Sequence, residues 1–498
     1  MNIIDNDLLS MQEARILVEN AREAQKKLAT FSQKNLDEIV EGMIKEIEKH
    51  LSELAMMSSN ETDYGKWEDK YIKNNFICEY LSYRLKGMNC VGIISEDKEN
   101  KTMDVGVPMG VIIGFCPSTS PVSTTIYKAL ISIKSGNAII FSPHPRAKNT
   151  ISKTLDILIN AAESCGLPEG ALAYLHNVTK SGTLELMNHE DTSLIINTGV
   201  PNLLKEAYKS GKPVIYGGNG NGPAFIERTA DIKQAVKDII ASKTFDNGIV
   251  SAAEQSIVVD SVIEPEVKIE LEKSGAYFMN EEESNKLGLI FSCNNEGNKV
   301  DFIGKTAQEL AKKAGFIVSN DIKILISKQK YVSKNNPYAK EKLCPVLAYY
   351  IEDDWKHACE KCIELLLSER QGHTLIIHSR DEEVIRQFAL KKPVGRVLVN
   401  TPGALGSMGA TTNLFPSMTL GSGSAGHGMT SDNVSPRNLI YIRKVGYGVR
   451  KANEVIKNKP IEDIKLSRES EVEESCNINN VEFLEILLKK VMEKLNEK

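Results

Sequence analysis

A chain of 498 residues is too long for one ordinary hydrophobic core and points to two or three domains. Hydrophobic residues make up 41% and charged residues 26%, a globular composition, and a net charge of -5 leaves no basic excess for nucleic acid or an anionic membrane. The sequence has no apolar run long enough to span a bilayer and no basic n-region before Ser10. Its nine cysteines are scattered, so a cytoplasmic protein with reduced thiols and a small-molecule partner is expected.

The first sixty residues are helical in pattern: Leu17, Ala21, Ala24 and Leu28, then Ile39, Met43, Ile47 and Leu51, recur at spacings of three and four. From Gly110 short apolar runs alternate with helical ones. Strands are predicted at 110–116, 137–142, 172–176, 193–197 and 213–216, with helices at 123–135, 148–164 and 203–210. That alternation implies α/β architecture, a parallel sheet covered on both faces that binds ligands at its carboxyl edge. A second alternating region runs from about 231 to 416, with strands at 255–260, 323–327, 346–351, 374–378 and 396–400. Residues 402–428 are rich in Gly, Ser and Thr and read as loop, and one more strand follows at 439–445. The polar stretch 456–480 reads as a linker. Val481, Leu484, Leu488, Val491 and Leu495 then mark an amphipathic helix, suited to folding back on its own domain or to docking on another protein.

The loops after the strands are where chemistry would sit. Cys116 to Pro121 follows the first strand, and Ser142-Pro143-His144-Pro145 the second. Asn197-Thr198-Gly199 opens a helix, an arrangement that offers backbone N–H groups to a phosphate. Residues 217–222 are dense in glycine, which lets the backbone approach a ligand closely. Each loop also fits plain turn chemistry.

Taken in order, the motifs GVIIGFCPSTSP, SPHP, NTG, TFDNGIVSAAEQS, EKLCPV and GHT resemble the coenzyme A-acylating branch of the aldehyde dehydrogenase superfamily. That branch includes the acetaldehyde and propionaldehyde dehydrogenases of bacterial microcompartments. The resemblance implies an aldehyde dehydrogenase fold: a Rossmann-like cofactor domain with N-terminal helices (1–230), an α/β catalytic domain (231–425) and a short oligomerisation segment (426–455). The linker (456–480) and amphipathic helix (481–498) follow, the latter resembling an encapsulation peptide that would meet a microcompartment shell or core protein.

The same resemblance implies NAD and coenzyme A as ligands, a short aldehyde as substrate, and a homodimer or tetramer. It places Thr198 and Gly199 beside the cofactor phosphates, Ser142, His144 and Pro145 at the adenosine pocket, and Glu341 on the nicotinamide ribose. Where hydrolytic relatives carry a glutamate base, this chain offers Gly217, which favours acyl transfer to a thiol over release of a free acid. NAD over NADP rests on the resemblance alone.

Two positions depart from the branch. Ser251 occupies the slot of the cysteine that attacks the aldehyde, and Ser120 the slot of an asparagine that helps hold the oxyanion. A serine needs a positioned base to lose its proton, and none of the eight histidines is placed by motif near Ser251. Passing an acyl group from an oxygen ester to coenzyme A also runs uphill. Four readings follow: the family reaction using Ser251 or another thiol such as Cys116, a silent paralogue that binds the ligands as a scaffold, related chemistry such as ester hydrolysis, or a deliberate Cys-to-Ser replacement. His373 in the GHT motif is expected near the active site. The Cys359-x-x-Cys362 pair is expected to pack on a helix rather than bind metal.

Overall fold

The computed structural model describes residues 5–218, 220–292, 302–368 and 372–456. They divide into two compact units, residues 5–96 with 103–444, and residues 97–102 with 445–456. The predicted tail helix and nearly all of its linker lie outside the described residues.

The larger unit opens with helices Asn6–Leu28 and Gln33–Ile47. Asp5 caps the first by accepting the N–H groups of Asp7 and Leu8 at 2.9 and 3.1 Å, and Ser32 with Asn35 forms a capping box at the second. The second helix buries Leu36, Ile39, Met43 and Ile47, as its periodicity predicts. The first turns Ala14, Val18, Ala21, Ala24 and Leu28 inward, leaving Leu17 at the edge of the stripe.

A five-stranded sheet follows, in the order Leu172–Tyr174, Ala138–Phe141, Val111–Phe115, Thr192–Thr198, Val214–Gly217, all parallel. Its strands are buried on both faces, which explains why they read as unbroken apolar runs rather than alternating ones. Helices Pro121–Lys134 and Lys148–Ser164 make two of the crossovers.

A second parallel sheet has seven strands: Ala276–Phe278, Ile324–Lys328, Val346–Glu352, Ser256–Asp260, Pro223–Ile226, Thr374–His378 and Arg396–Val399. Alternate residues supply two separate cores. Phe225, Val258, Leu325 and Leu375 face one, and Ala224, Ile257, Ile324 and Ile376 the other. Strand Pro223–Ile226 is absent from the sequence reading, so the second sheet draws on chain ahead of residue 231. It has only four residues and opens on a proline, which is tolerated at a strand's first position.

The stretch 402–428 is not all loop. Gly403–Met408 forms a short helix that ends on Gly409 in the left-handed region (φ 88°), a conformation that favours glycine. A third sheet pairs Gly92–Asp97, Thr102–Pro108 and Ile440–Gly446, and its two outer strands, Gly92–Asp97 and Ile440–Gly446, are largely exposed. In the smaller unit the Tyr447 N–H donates to the Lys101 carbonyl at 3.1 Å.

Candidate active site

The carboxyl edge of the five-stranded sheet carries the first loops. Register places Phe115 beside Asn197 and Thr198 beside Gly217, so the loops that follow these three strands emerge together. Gly199, at φ 62°, donates to the Gly217 carbonyl at 2.9 Å, and a side chain at Gly199 would bring its Cβ within 3.0 Å of Pro117. Thr198 is tied through its hydroxyl to Thr419 at 2.8 Å.

A cavity of about 180 Å³ opens here, and Ser120, Thr198, Gly199, Gly217, Ser251 and Glu341 all line it. Ser142, His144 and Pro145 do not. They sit at the end of the neighbouring strand, where the Ser142 and Thr183 hydroxyls pair at 2.9 Å and His144 Nδ1 accepts the Arg146 N–H at 3.1 Å. The structure thus brings six of the nine expected site residues round one cavity and leaves three outside its lining.

Ser251 is presented by a tight turn. Asp246, Asn247 and Gly248 all have positive φ (49°, 51° and 73°), an uncommon run for residues other than glycine. Side-chain anchors hold it. The fully buried Asp246 carboxylate accepts the Lys66 N–H at 2.7 Å, Lys70 Nζ at 3.1 Å and Lys73 Nζ at 2.6 Å. Its own N–H donates to Asp69 at 2.8 Å, and Asn247 donates to the Gly304 carbonyl at 2.8 Å. Although burial opposes ionisation, Lys73 and Lys70 hold the Asp246 carboxyl below its usual range, while burial pulls Lys70 down to about 8.

Behind Ser251 runs the glycine loop. A Cβ on Gly220 would lie 1.9 Å from the Ser251 carbonyl oxygen, so only glycine fits, and the Gly220 N–H donates to Glu341 at 2.6 Å. Gly220 therefore lies between the Ser251 backbone and Glu341.

Among the described residues no base is hydrogen-bonded to Ser251. Its hydroxyl makes no hydrogen bond to any described residue. His373 lines the cavity, but its Nδ1 pairs with Thr374 at 2.7 Å. Burial and the nearby Arg396 keep its imidazole neutral well below the usual range. None of the seven cysteines among the described residues lines the cavity. Cys116 sits in the core at 2% exposure, accepts the Thr125 hydroxyl at 3.5 Å, and has its thiol pushed up by burial. That removes Cys116 as a nucleophile. Cys359 and Cys362 are likewise buried on helix Trp355–Ser368, with Lys392 Nζ against Cys359.

Shortly after Ser251, Glu254 is fully buried; Oε1 accepts the Gly403 N–H at 2.8 Å and Oε2 has no partner among the described residues. Burial pushes its carboxyl up to about 7. In the folded protein it keeps a proton that the unfolded chain releases near 4.5, so its contribution to stability is full below that pH and is lost as pH rises through 7. Glu254→Gln is expected to flatten this slope: melting midpoints measured at pH 5 and pH 8 should converge relative to the parent. Equal pH sensitivity in both proteins would contradict the assignment.

The pattern of the sequence did not single out Lys70, Lys73 or Asp246. The available signal was two lysines three apart on the buried side of helix Trp67–Phe76, since an unpaired buried charge is rare.

This geometry meets its relatives here. Residues 3–412 match the aldehyde dehydrogenase family model, and the chain belongs to that family. The bifunctional aldehyde-alcohol dehydrogenase of Escherichia coli K12 is 39% identical over 436 residues, 86% of this chain and 49% of that protein. The chain spans about half the length of the first curated relatives it matches. An acetylating aldehyde dehydrogenase from Geobacillus thermoglucosidasius is similar in structure, with TM-score 0.87 and 42% identity over 90% of this chain and 99% of that one. A propionaldehyde dehydrogenase from Rhodopseudomonas palustris, solved with bound coenzyme A and an acylated cysteine, gives TM-score 0.79 and 25% identity over 87% and 97%. Among the described residues no helix is long and apolar enough to cross a membrane.

Proposed function

We propose that this chain binds NAD and coenzyme A and oxidises a short aldehyde to its acyl-coenzyme A, with Ser251 at the attacking position and Ser120 facing the oxyanion. The observation that carries this reading is the single cavity in which both serines meet Thr198, Gly199, Gly217 and Glu341. The fit to a dinucleotide rests on the backbone. Gly199 and Gly217 line that wall without side chains, so the backbone can approach a ligand closely, and Glu341 is held by the Gly220 N–H. NAD, when bound, accepts the hydride.

The chain's own residues would do the rest. Thr198 and Gly199 face the phosphates, and Glu341 faces the ribose. Ser251 would form the bond to the aldehyde carbon while its proton leaves to water, since no described side chain is hydrogen-bonded to its hydroxyl. Gly217 offers no carboxylate to activate water against the acyl group, so the acyl group waits for a thiol. We also propose that His144 and Pro145 border the part of the site that serves the adenosine of NAD and of coenzyme A in turn. A division near residue 425, the homo-oligomer, a cytoplasmic location and capture of residues 481–498 by a microcompartment protein belong to the same proposal, supported by the sequence pattern; the expected division at 230 moves ahead of strand Pro223–Ile226, which lies in the second sheet.

The test is the product. With Ser251→Cys, NAD and a panel of short aldehydes, NADH formation at 340 nm should require coenzyme A. Mass spectrometry should find acyl-coenzyme A. Free acid released without coenzyme A would overturn the acyl-transfer reading. The scaffold reading finds no support among the relatives described above.

A further inference from the structure

Ser120 is an unpromising replacement for a side-chain amide: its hydroxyl is shorter and carries one hydrogen rather than two. The structure surrounds it unusually. Lys73 Nζ donates to Ser120 Oγ at 2.7 Å and to Asp246 Oδ2 at 2.6 Å, and points its remaining reach at the Thr119 carbonyl at 3.5 Å. Lys73 is 1% exposed, and Lys70, one helical turn earlier, donates to Thr119 O at 3.2 Å. Two lysines thus pin the 119–120 peptide, and one aspartate ties both to the turn that presents Ser251.

This arrangement fixes the direction of the Ser120 proton. Since the ammonium occupies a lone pair of Oγ, the hydroxyl must use its hydrogen elsewhere, and no acceptor for it exists among the described residues. Ser120 is 8% exposed and lines the cavity that Ser251 also lines. A positive charge behind a hydroxyl makes it a stronger donor, and a low-dielectric surrounding lets that polarisation persist.

We propose that Lys73 is a positioning residue that makes Ser120 a working oxyanion donor: it holds Oγ from behind, so that the O–H points into the cavity at the oxygen on which negative charge develops. This rests on the reaction proposed above. Lys73 touches no reacting atom; it acts through Ser120.

A double-mutant cycle tests it in the Ser251→Cys background, with kcat and KM for aldehyde read from NADH formation. Lys73→Met leaves Asp246 paired with Lys70, so the turn stays anchored, and a melting curve checks that it does. An oxyanion donor is worth about 10²–10³ in kcat, so Lys73→Met and Ser120→Ala should each lower kcat by about that factor with KM little changed. The double variant should be no slower than Ser120→Ala alone. Ser120→Asn should make the enzyme insensitive to Lys73→Met, since an amide donates without help. Additive losses, or an equal effect of Lys73→Met with serine, alanine or asparagine at 120, would overturn the inference while leaving the proposed reaction intact. Absence of NADH in every variant, Ser251→Cys included, would overturn both.

Discussion

Alanine at Asp246 should cost about 3–5 kcal/mol of stability, because it strips the counter-charge from two lysines that remain buried. Lys70 and Lys73 have side chains 3% and 1% exposed, and each reaches the same Asp246 oxygen. Asp69, the other carboxylate nearby, is turned to the Asp246 N–H and has its own carboxyl raised by burial, so it is a poor substitute. Position 246 also lies at φ 49°, which aspartate and asparagine tolerate and alanine does not. Asp246→Asn separates the two effects: it keeps the backbone preference and removes the charge. Denaturation midpoints should fall in the order parent, Asn, Ala. A loss below about 1 kcal/mol in Asp246→Ala would mean that the lysines are solvated in the working protein. The carboxyl is held below its ordinary value of 3.8, so this stabilisation is complete above that pH and is lost as pH falls through the lower folded value. The parent should therefore lose stability on acidification below pH 4 more steeply than Asp246→Asn.

The same cluster shows what the sequence could and could not reveal. Most strands of the two parallel sheets were legible because buried parallel strands are plain runs of Val, Ile and Leu, as in Val111–Phe115 and Thr374–His378, whereas the three-residue edge strand Ala276–Phe278 was not. The loops were legible because a doubly covered parallel sheet leaves only its carboxyl edge open. Strand Pro223–Ile226 escaped because four residues behind a glycine-dense loop carry no period. Helix Gly403–Met408 escaped because packing, not propensity, holds it: the Ala404 N–H donates to Ser242 at 2.8 Å and the Gly403 N–H to Glu254. The link from Lys73 to Asp246 crosses more of the chain than any local rule reaches, and only the tertiary fold discloses it. Cys116 is the converse case. Its place beside the loop made it a candidate, while its burial beneath helix Pro121–Lys134 makes it core.

What remains is the nucleophile. Ser251 is proposed as the attacking residue, yet its hydroxyl makes no hydrogen bond to a base among the described residues and would form an oxygen ester ahead of a thioester. A thiol there needs no base at neutral pH, since part of it is already thiolate. Positioned general-base assistance is worth about 10²–10⁴ in rate, and that is the deficit a serine without one carries. Ser251→Cys is therefore expected to raise kcat by about that factor, the largest gain any single substitution should give. The cavity should accept it, because sulfur for oxygen adds little volume and Ser251 lines the open cavity. The most direct measurement sets wild type, Ser251→Ala and Ser251→Cys side by side, with NADH formed at 340 nm from a short aldehyde, NAD and coenzyme A. The account predicts slow but measurable coenzyme A-dependent turnover by wild type, a silent alanine variant, and faster coenzyme A-dependent turnover in the cysteine variant. Wild-type turnover equal to that of Ser251→Cys, or turnover that survives Ser251→Ala, would contradict it.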